Sequence, residues 1–217
     1  MTGVQTCALP IFLSQPQIAA ARFPIGEMTK PEVREAARRL GLPNAGRKDS
    51  QGICFIGRVK MSDFLREFIP DRTGPIVDTA GRTLGEHRGL HHFTLGLRRG
   101  IRVPSNTHAA AYVVVAKRPA DNALVVALER PDAPGLHARR ATLEGVSFTN
   151  APIAAPMRLR ARPRYRAPAA PAQFTPLPDG RAQIECDAPQ RALPPGQICA
   201  LYHGHRLAGG GIFAEIL

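Results

Sequence analysis

The sequence predicts an α+β chain, with a short helical part first and β structure from about Pro70 to the C-terminus. Three observations predict this. Thr29 to Leu40 carries the start signal, the apolar face and the stop signal of one helix. Short runs with turn residues between them recur from Pro75 onward. Asp179-Gly180 separates two alternating runs, as a type I′ hairpin turn would.

The elements follow in chain order. Met1 to Ile11 reads MTGVQTCALPI and has neither helical nor strand period. Translation of a common short-read sequencing adapter from a GTG start gives the same peptide. Native sequence is therefore expected from Phe12 or Leu13, with Cys7 an artefact. In the helix, Thr29 and Glu32 form a capping box and Pro31 sits in the first turn. Val33, Ala36, Ala37 and Leu40 make its apolar face, Gly41 stops it and Pro43 prevents continuation. A second helix is expected at Ser62 to Ile69, with Phe64, Leu65 and Phe68 inward, and a short buried strand at Ile53 to Ile56. Pro75 to Asp78 and Thr83 to His87 form a hairpin around Ala80-Gly81. Ala111 to Lys117 and Ala123 to Leu128 form another at Asp121-Asn122. Strands are expected from about His137, including Ala172 to Leu177, Ala182 to Cys186, Ile198 to Tyr202 and Gly211 to Ile216. Their short, regular spacing suggests a small barrel. Ala167 to Pro171 reads as a loop.

The hydrophobic fraction of 44% is ample for a core, and no run is long enough to span a bilayer. Ala8 to Leu13 is apolar but short and follows no basic residue, so no signal peptide is expected and the protein reads as cytoplasmic. The charge of +12, from 29 Lys+Arg against 17 Asp+Glu, exceeds what solubility needs and favours a polyanionic partner such as nucleic acid. Arg158, Arg160, Arg162, Arg164 and Arg166 alternate with other residues, so a strand would root them on one face about 6–7 Å apart. Pro163 then implies an edge or bulged position. The bland alternative is a solvated outer barrel face.

Cys7, Cys54, Cys186 and Cys199 form no CxxC pair and no Cys/His zinc spacing, so no metal site is expected. By spacing alone Cys54 reads as a buried strand residue, and Cys186 and Cys199 as core. No carboxylate or cysteine near His87, His91 and His92 completes a metal set, so a structural or RNA-facing role is expected. His203 and His205 read as solvated. Gly209 to Gly211 read as a bulge or close backbone approach, not a phosphate loop.

Three stretches carry a family resemblance: FPIGEMTKPEVREAARRLGLPNAGRKDSQGICFIG (Phe23 to Gly57), GEHRGLHHFTLGLRRG (Gly85 to Gly100), and PRYR (Pro163 to Arg166) with PPGQICALYHGHRLAGGGIF (Pro194 to Phe213). In order and spacing, over essentially all of Phe12 to Leu217, they resemble the tRNA 2-thiouridylases. Leu97 departs from the usual Gln of T-x-G-Q-R. The family's SGGxDS nucleotide loop, first catalytic cysteine and KDQ segment are not in the sequence.

The resemblance implies a tRNA-uridine 2-sulfurtransferase. ATP, with magnesium, adenylates the wobble uridine carbonyl oxygen, and a cysteine persulfide delivers sulfur to that carbon. A second cysteine attacks the persulfide and leaves a disulfide. Cys54 in GICFIG matches the persulfide carrier, and Arg47 and Lys48 nearby would favour its thiolate. Arg164, Tyr165 and Gln197 match tRNA-contacting residues. The implied partners are tRNA and a persulfide donor, either a cysteine desulfurase or a relay protein. The implied fold is an α+β remnant in three parts after residues 1–11. Residues 12–69 are the tail of an α/β ATP-pyrophosphatase-like catalytic domain, 70–134 a small β central domain, and 135–217 a C-terminal β-barrel. On this reading the chain lacks the ATP-binding part and is inactive alone. The alternative is a non-enzymatic RNA-binding remnant, and a third possibility is a fragment without function.

Overall fold

The computed structural model describes residues 10–47, 59, 61–104, 110–164 and 167–217. Pro10–Phe12 is a 3-10 turn, followed by helices α1 (Gln15–Ala20), α2 (Lys30–Arg39) and α3 (Met61–Arg66). Thr29 is the N-cap of α2, and its backbone N–H donates to Glu32 Oε2 at 2.6 Å, so the capping box forms as expected. Burial departs from expectation. No residue of α2 is buried, and Leu40 is 72% exposed. Helix α3 is shorter than the expected Ser62 to Ile69, and Phe68 is exposed, its ring packing locally at a tilt against Phe64 at 5.0 Å instead of entering a core. Helix α1 was not foreseen, although Ser14 and Gln17 give it a capping box of its own. The expected strand Ile53 to Ile56 lies outside the described residues.

The central part has β1 (Gly74–Val77), β2 (Thr83–His87), β3 (Tyr112–Arg118) and β4 (Ala123–Leu128). The two expected hairpins join into one sheet of order β2-β1-β4-β3, through parallel pairing of β1 with β4. Both faces of β3 are covered, which accounts for its unbroken Val113-Val114-Val115 run. Val114 packs with Ile76, Phe93, Leu124 and Val126. Val113 and Val115 pack with Ala133, Leu136 and Ala192, the last two from the barrel part. Leu97 sits against the first of these clusters, so its apolar side chain occupies an apolar place.

Strands β5 (His137–Phe148), β6 (Met157–Arg162), β7 (Ala170–Pro176), β8 (Ala182–Arg191), β9 (Ile198–His203) and β10 (Arg206–Ile216) close into the expected barrel, in the order β10-β5-β8-β7-β6-β9. Leu143, Leu159, Phe174, Ile184, Leu201 and Phe213 fill it, with Phe148 edge-on to Phe174 at 5.9 Å. Each such fully buried side chain contributes about 1.5–3 kcal/mol of transfer free energy. The expected loop Ala167 to Pro171 is partly strand, since Ala170 and Pro171 pair with Ala161 and Arg160.

The Asp179-Gly180 hairpin forms, but not as type I′. That type needs positive φ at both residues, and only Gly180 has it, at +81°. Pro178 occupies the preceding corner, and Gly180 N–H closes the turn on Leu177 O at 3.2 Å. The Gly209–Gly211 stretch lies within β10 between register shifts. A Cβ on Gly210 would fall 2.3 Å from Cys199 O and 2.9 Å from Ile11 Cγ2, which explains the small residue there. Ile11 itself is fully buried against this strand.

Candidate functional site

Two of the three motif stretches meet where the central sheet abuts the barrel. The TLGLRR loop after β2 presents Gly96, with φ +79°. The end of β8 presents Arg191, the connection after it Ala192, and the connection after β6 Arg164. A Cβ on Gly96 would lie 2.7 Å from Ala192 Cβ, 3.0 Å from Arg191 Nη1 and 3.5 Å from Arg164 Nη2. Only a glycine leaves room here for the Ala192 methyl and the two guanidinium groups. Ala192 itself has φ +47°, a left-handed conformation that costs a non-glycine residue about 1–2 kcal/mol. Its N–H donates to Leu136 O at 2.7 Å, and its carbonyl accepts a hydrogen bond from Arg164 Nη2. Backbone strain of this kind persists where neighbours over-determine it.

The charges at this seam do not balance. Glu129 Oε1 accepts from Arg191 Nη2 at 2.7 Å, and Glu129 Oε2 pairs with Arg98 Nε at 2.7 Å. Both carboxylate oxygens are thereby engaged. Arg164 has no carboxylate partner among the described residues, and its Nε is buried without a hydrogen bond there. Burial first, and then the adjacent Arg191 charge, hold the Arg164 pKa below the ordinary guanidinium range. A guanidinium does not lose its proton in proteins, so the seam keeps an uncompensated cation that an incoming anion would stabilise.

The rest of the arginine stripe divides differently from the even row expected. Strand β6 places Leu159 and Ala161 in the barrel and Arg158 and Arg160 outside. Arg158 forms a two-pronged pair with Asp187, at 2.8 and 2.5 Å. Arg160 donates to Ala169 O at 2.9 Å. Arg162 lies over the Tyr202 ring at 5.0 Å. The edge position inferred from Pro163 is not observed. Strand β6 pairs on both sides, with β7 and β9, and Pro163 is a buried bend residue just past the strand end. A closed barrel has no edge, so the proline ends the strand and aims Arg164 away from the outer face. Gln197 is half-buried in the turn before β9, on a different connection, with its N–H on Pro194 O and its carbonyl accepting from Phe213 N–H at 2.9 Å. Cys54, Tyr165 and Arg166 lie outside the described residues.

The histidines separate by environment. His87 is 3% exposed and its Nε2 lies 2.9 Å from Asn122 O, which ties β2 to the β3–β4 turn. That is a structural role. His203 and His205 are exposed, as expected. His91 and His92 correct the expectation that no carboxylate joins them. Asp71, twenty residues earlier, brings Oδ1 to 3.2 Å from His91 Nε2 and 2.7 Å from His92 Nε2. Cys186 and Cys199 are buried free thiols, and burial pushes both pKa values up. Neither is poised as a thiolate nucleophile.

Sequence reasoning missed Arg191, Glu129 and Asp71. Arg191 and Glu129 are 62 residues apart and meet only because the barrel docks on the central sheet. The one local signal was the density of arginine and glycine in TLGLRRG. Among the described residues no helix is long and apolar enough to cross a membrane.

Comparison with known proteins places this geometry in context. Residues 5–58 match a family model described as a tRNA methyl transferase HUP domain. Residues 62–128 match the tRNA methyl transferase PRC-barrel domain, and residues 139–213 an aminomethyltransferase beta-barrel domain. The tRNA-specific 2-thiouridylase MnmA of Akkermansia muciniphila is 53% identical over 200 residues, covering 92% of this chain and 56% of that protein. The proteins of the same name from Xanthomonas campestris pv. campestris and Serratia proteamaculans are 41% and 40% identical, covering 93% and 94% of this chain and 54% and 56% of theirs. The chain thus spans about half the length of the curated relatives it matches.

Proposed function

The chain belongs to the tRNA-specific 2-thiouridylase family, and on that premise we propose that it forms part of an enzyme that makes 2-thiouridine at the wobble position of tRNA. One observation carries the tRNA part of this reading. Arg164 is held at the seam of the central sheet and the barrel beside Arg191, with its own charge unpaired among the described residues. A polyanion stabilises such a cation more than an arginine already paired with a carboxylate. Gln197 and Tyr165 join Arg164 as tRNA-contacting residues by their family positions.

The sulfur chemistry is assigned to Cys54. As a persulfide, its outer sulfur attacks the uridine carbon once the carbonyl oxygen is adenylated, and AMP leaves with that oxygen. A second cysteine of the complete enzyme then attacks Cys54 Sγ. The S–S bond breaks with its electron pair on the outer sulfur, which stays on the base, and the two cysteines are left as a disulfide. The Gly209–Gly211 stretch sits inside β10 and is not a phosphate-cradling loop. By the family resemblance, ATP and magnesium are assigned to a nucleotide-binding domain of the complete enzyme, and the 217 residues alone are expected not to thiolate.

The test is thiouridine formation on tRNA with ATP and a persulfide donor. It compares the chain alone with the chain joined to a family ATP-binding domain. Turnover by the chain alone sinks the second proposal. In the joined enzyme Cys54→Ser should abolish thiolation and leave tRNA affinity unchanged; near-normal thiolation would remove Cys54 from the chemistry. Specific tRNA binding by the chain, with no thiolation by the joined enzyme, would favour a non-enzymatic RNA-binding module.

A further inference from the structure

The Asp71, His91 and His92 cluster lies at the joint between α3 and the central sheet and has no part in the seam described above. Asp71 follows α3 and precedes β1, and His91 and His92 form the end of a 3-10 turn after β2. The three donor atoms lie within 4.8 Å of one another. Both Nε2 atoms converge on a single oxygen, Asp71 Oδ1, and the two rings are tilted at 47° to each other with centroids 3.9 Å apart.

Several features show that this convergence is built and not a chance surface contact. The side chains of His91 and His92 are only 13% and 16% exposed. A Cβ on Gly89 would fall 2.6 Å from His91 Cε1, so the bare backbone at Gly89 is what admits the His91 ring. The other carboxylate oxygen, Asp71 Oδ2, is held by Arg66 Nε at 3.0 Å, which fixes the carboxylate so that Oδ1 faces the imidazoles. Hydrogen bonding does not fully account for the arrangement. His92 makes a 2.7 Å bond to Oδ1, but His91 Nε2 is buried and aimed at the same oxygen without a hydrogen bond.

We propose that Asp71, His91 and His92 bind one divalent late transition-metal ion of the zinc class, which clamps the end of α3 to the central sheet. Two imidazoles and one carboxylate suit Zn2+, Co2+ or Ni2+, whereas Mg2+ and Ca2+ favour all-oxygen sets. The spacing fits as well. Zinc–ligand distances of about 2.0–2.2 Å in a tetrahedral site put ligand atoms about 3.3–3.6 Å apart; the 3.2 Å His91 contact is close to that, and the 2.7 Å His92 hydrogen bond would open by less than about 1 Å to admit the ion. The metal would replace any proton on Nε2 of either imidazole and would give His91 Nε2 the partner it lacks. Water would complete the coordination on the open side.

The experiment uses the full chain without a histidine tag, titrated with Co2+ and then with Zn2+. One Co2+ per chain should bind with d–d absorption and no thiolate charge-transfer band, and Zn2+ should displace it. Loss of an outer-shell partner alone weakens a metal site about 10–100-fold. His92→Ala and Asp71→Asn should each therefore weaken binding at least about 100-fold, while His203→Ala should not alter it. Metal-free circular dichroism checks that each variant is folded. A measurement on the unmodified chain does not depend on the variants: Co2+ should broaden the imidazole resonances of His91 and His92. Absence of binding, a thiolate band, unchanged affinity in folded His92→Ala or Asp71→Asn, or broadening of His203 and His205 instead, would each overturn the proposal.

Discussion

Removing one guanidinium at the seam should change tRNA binding in a way that removing one from the barrel wall does not. Arg164 and Arg158 differ by six residues and carry the same charge, yet their surroundings are opposite. Arg158 is spent on Asp187 through two hydrogen bonds, and both side chains are at least half exposed. Such an exposed pair is worth about 0–1 kcal/mol and presents little net charge to a distant phosphate. Arg164 has a backbone carbonyl as its partner and a second cation beside it. If it meets one phosphate, its removal reduces the log–log salt slope of tRNA binding by about 0.7–0.9. Across a fourfold salt change, from about 50 to 200 mM, the advantage of the unmodified chain should then shrink about threefold. Arg158→Ala should leave the slope unchanged. Arg164→Lys keeps the charge and should restore most of the slope, though not all the affinity, because lysine lacks the planar fork. Losing the charged hydrogen bond to Ala192 costs stability, about 1.5–3 kcal/mol, so thermal unfolding is measured beside filter binding. Equal slope changes for Arg158→Ala and Arg164→Ala, or none for Arg164→Ala in a folded protein, would refute the reasoning.

Two stability predictions accompany it. Cys199 is fully buried among apolar side chains. Cys199→Ser should cost about 1–3 kcal/mol by burying a hydroxyl, read as a lower unfolding temperature with tRNA affinity intact, and an unchanged unfolding temperature would refute a core role. Gly180 and Gly96 share a left-handed φ, but an added Cβ meets nothing within 4 Å at Gly180 and meets Ala192 and Arg191 at Gly96. Gly180→Ala should cost about 1–2 kcal/mol and Gly96→Ala about 1–3 kcal/mol more from overpacking; similar denaturation midpoints for the two would show that the seam is looser than described.

What local chemistry dictates was legible in the sequence. The capping box at Thr29 and Glu32 and the strands flanking Ala80-Gly81 and Asp179-Gly180 each depend on neighbours a few residues away. The family resemblance reached further, to the barrel, because motif order encodes a whole fold. The type of the Asp179-Gly180 turn was misread because Pro178 acts one position earlier than the dipeptide signal. Pro163 was misread because the edge rule assumes an open sheet, and only closure of β6 between β7 and β9 removes the edge.

By itself, the sequence determined most of the element types, the basic excess and the family. Only the tertiary structure decided which charges stay paired. Glu129 lies in the connection after β4, and it is docking of the barrel that brings Arg191 to it and leaves Arg164 beside them without a carboxylate among the described residues. Parallel pairing of β1 with β4, and convergence of His91 and His92 on Asp71, are likewise contacts between distant segments. Hydrophobic periodicity specifies which face of an element is buried, but not which partner buries it. The pairing of charges across such an interface follows from packing geometry that no local pattern contains.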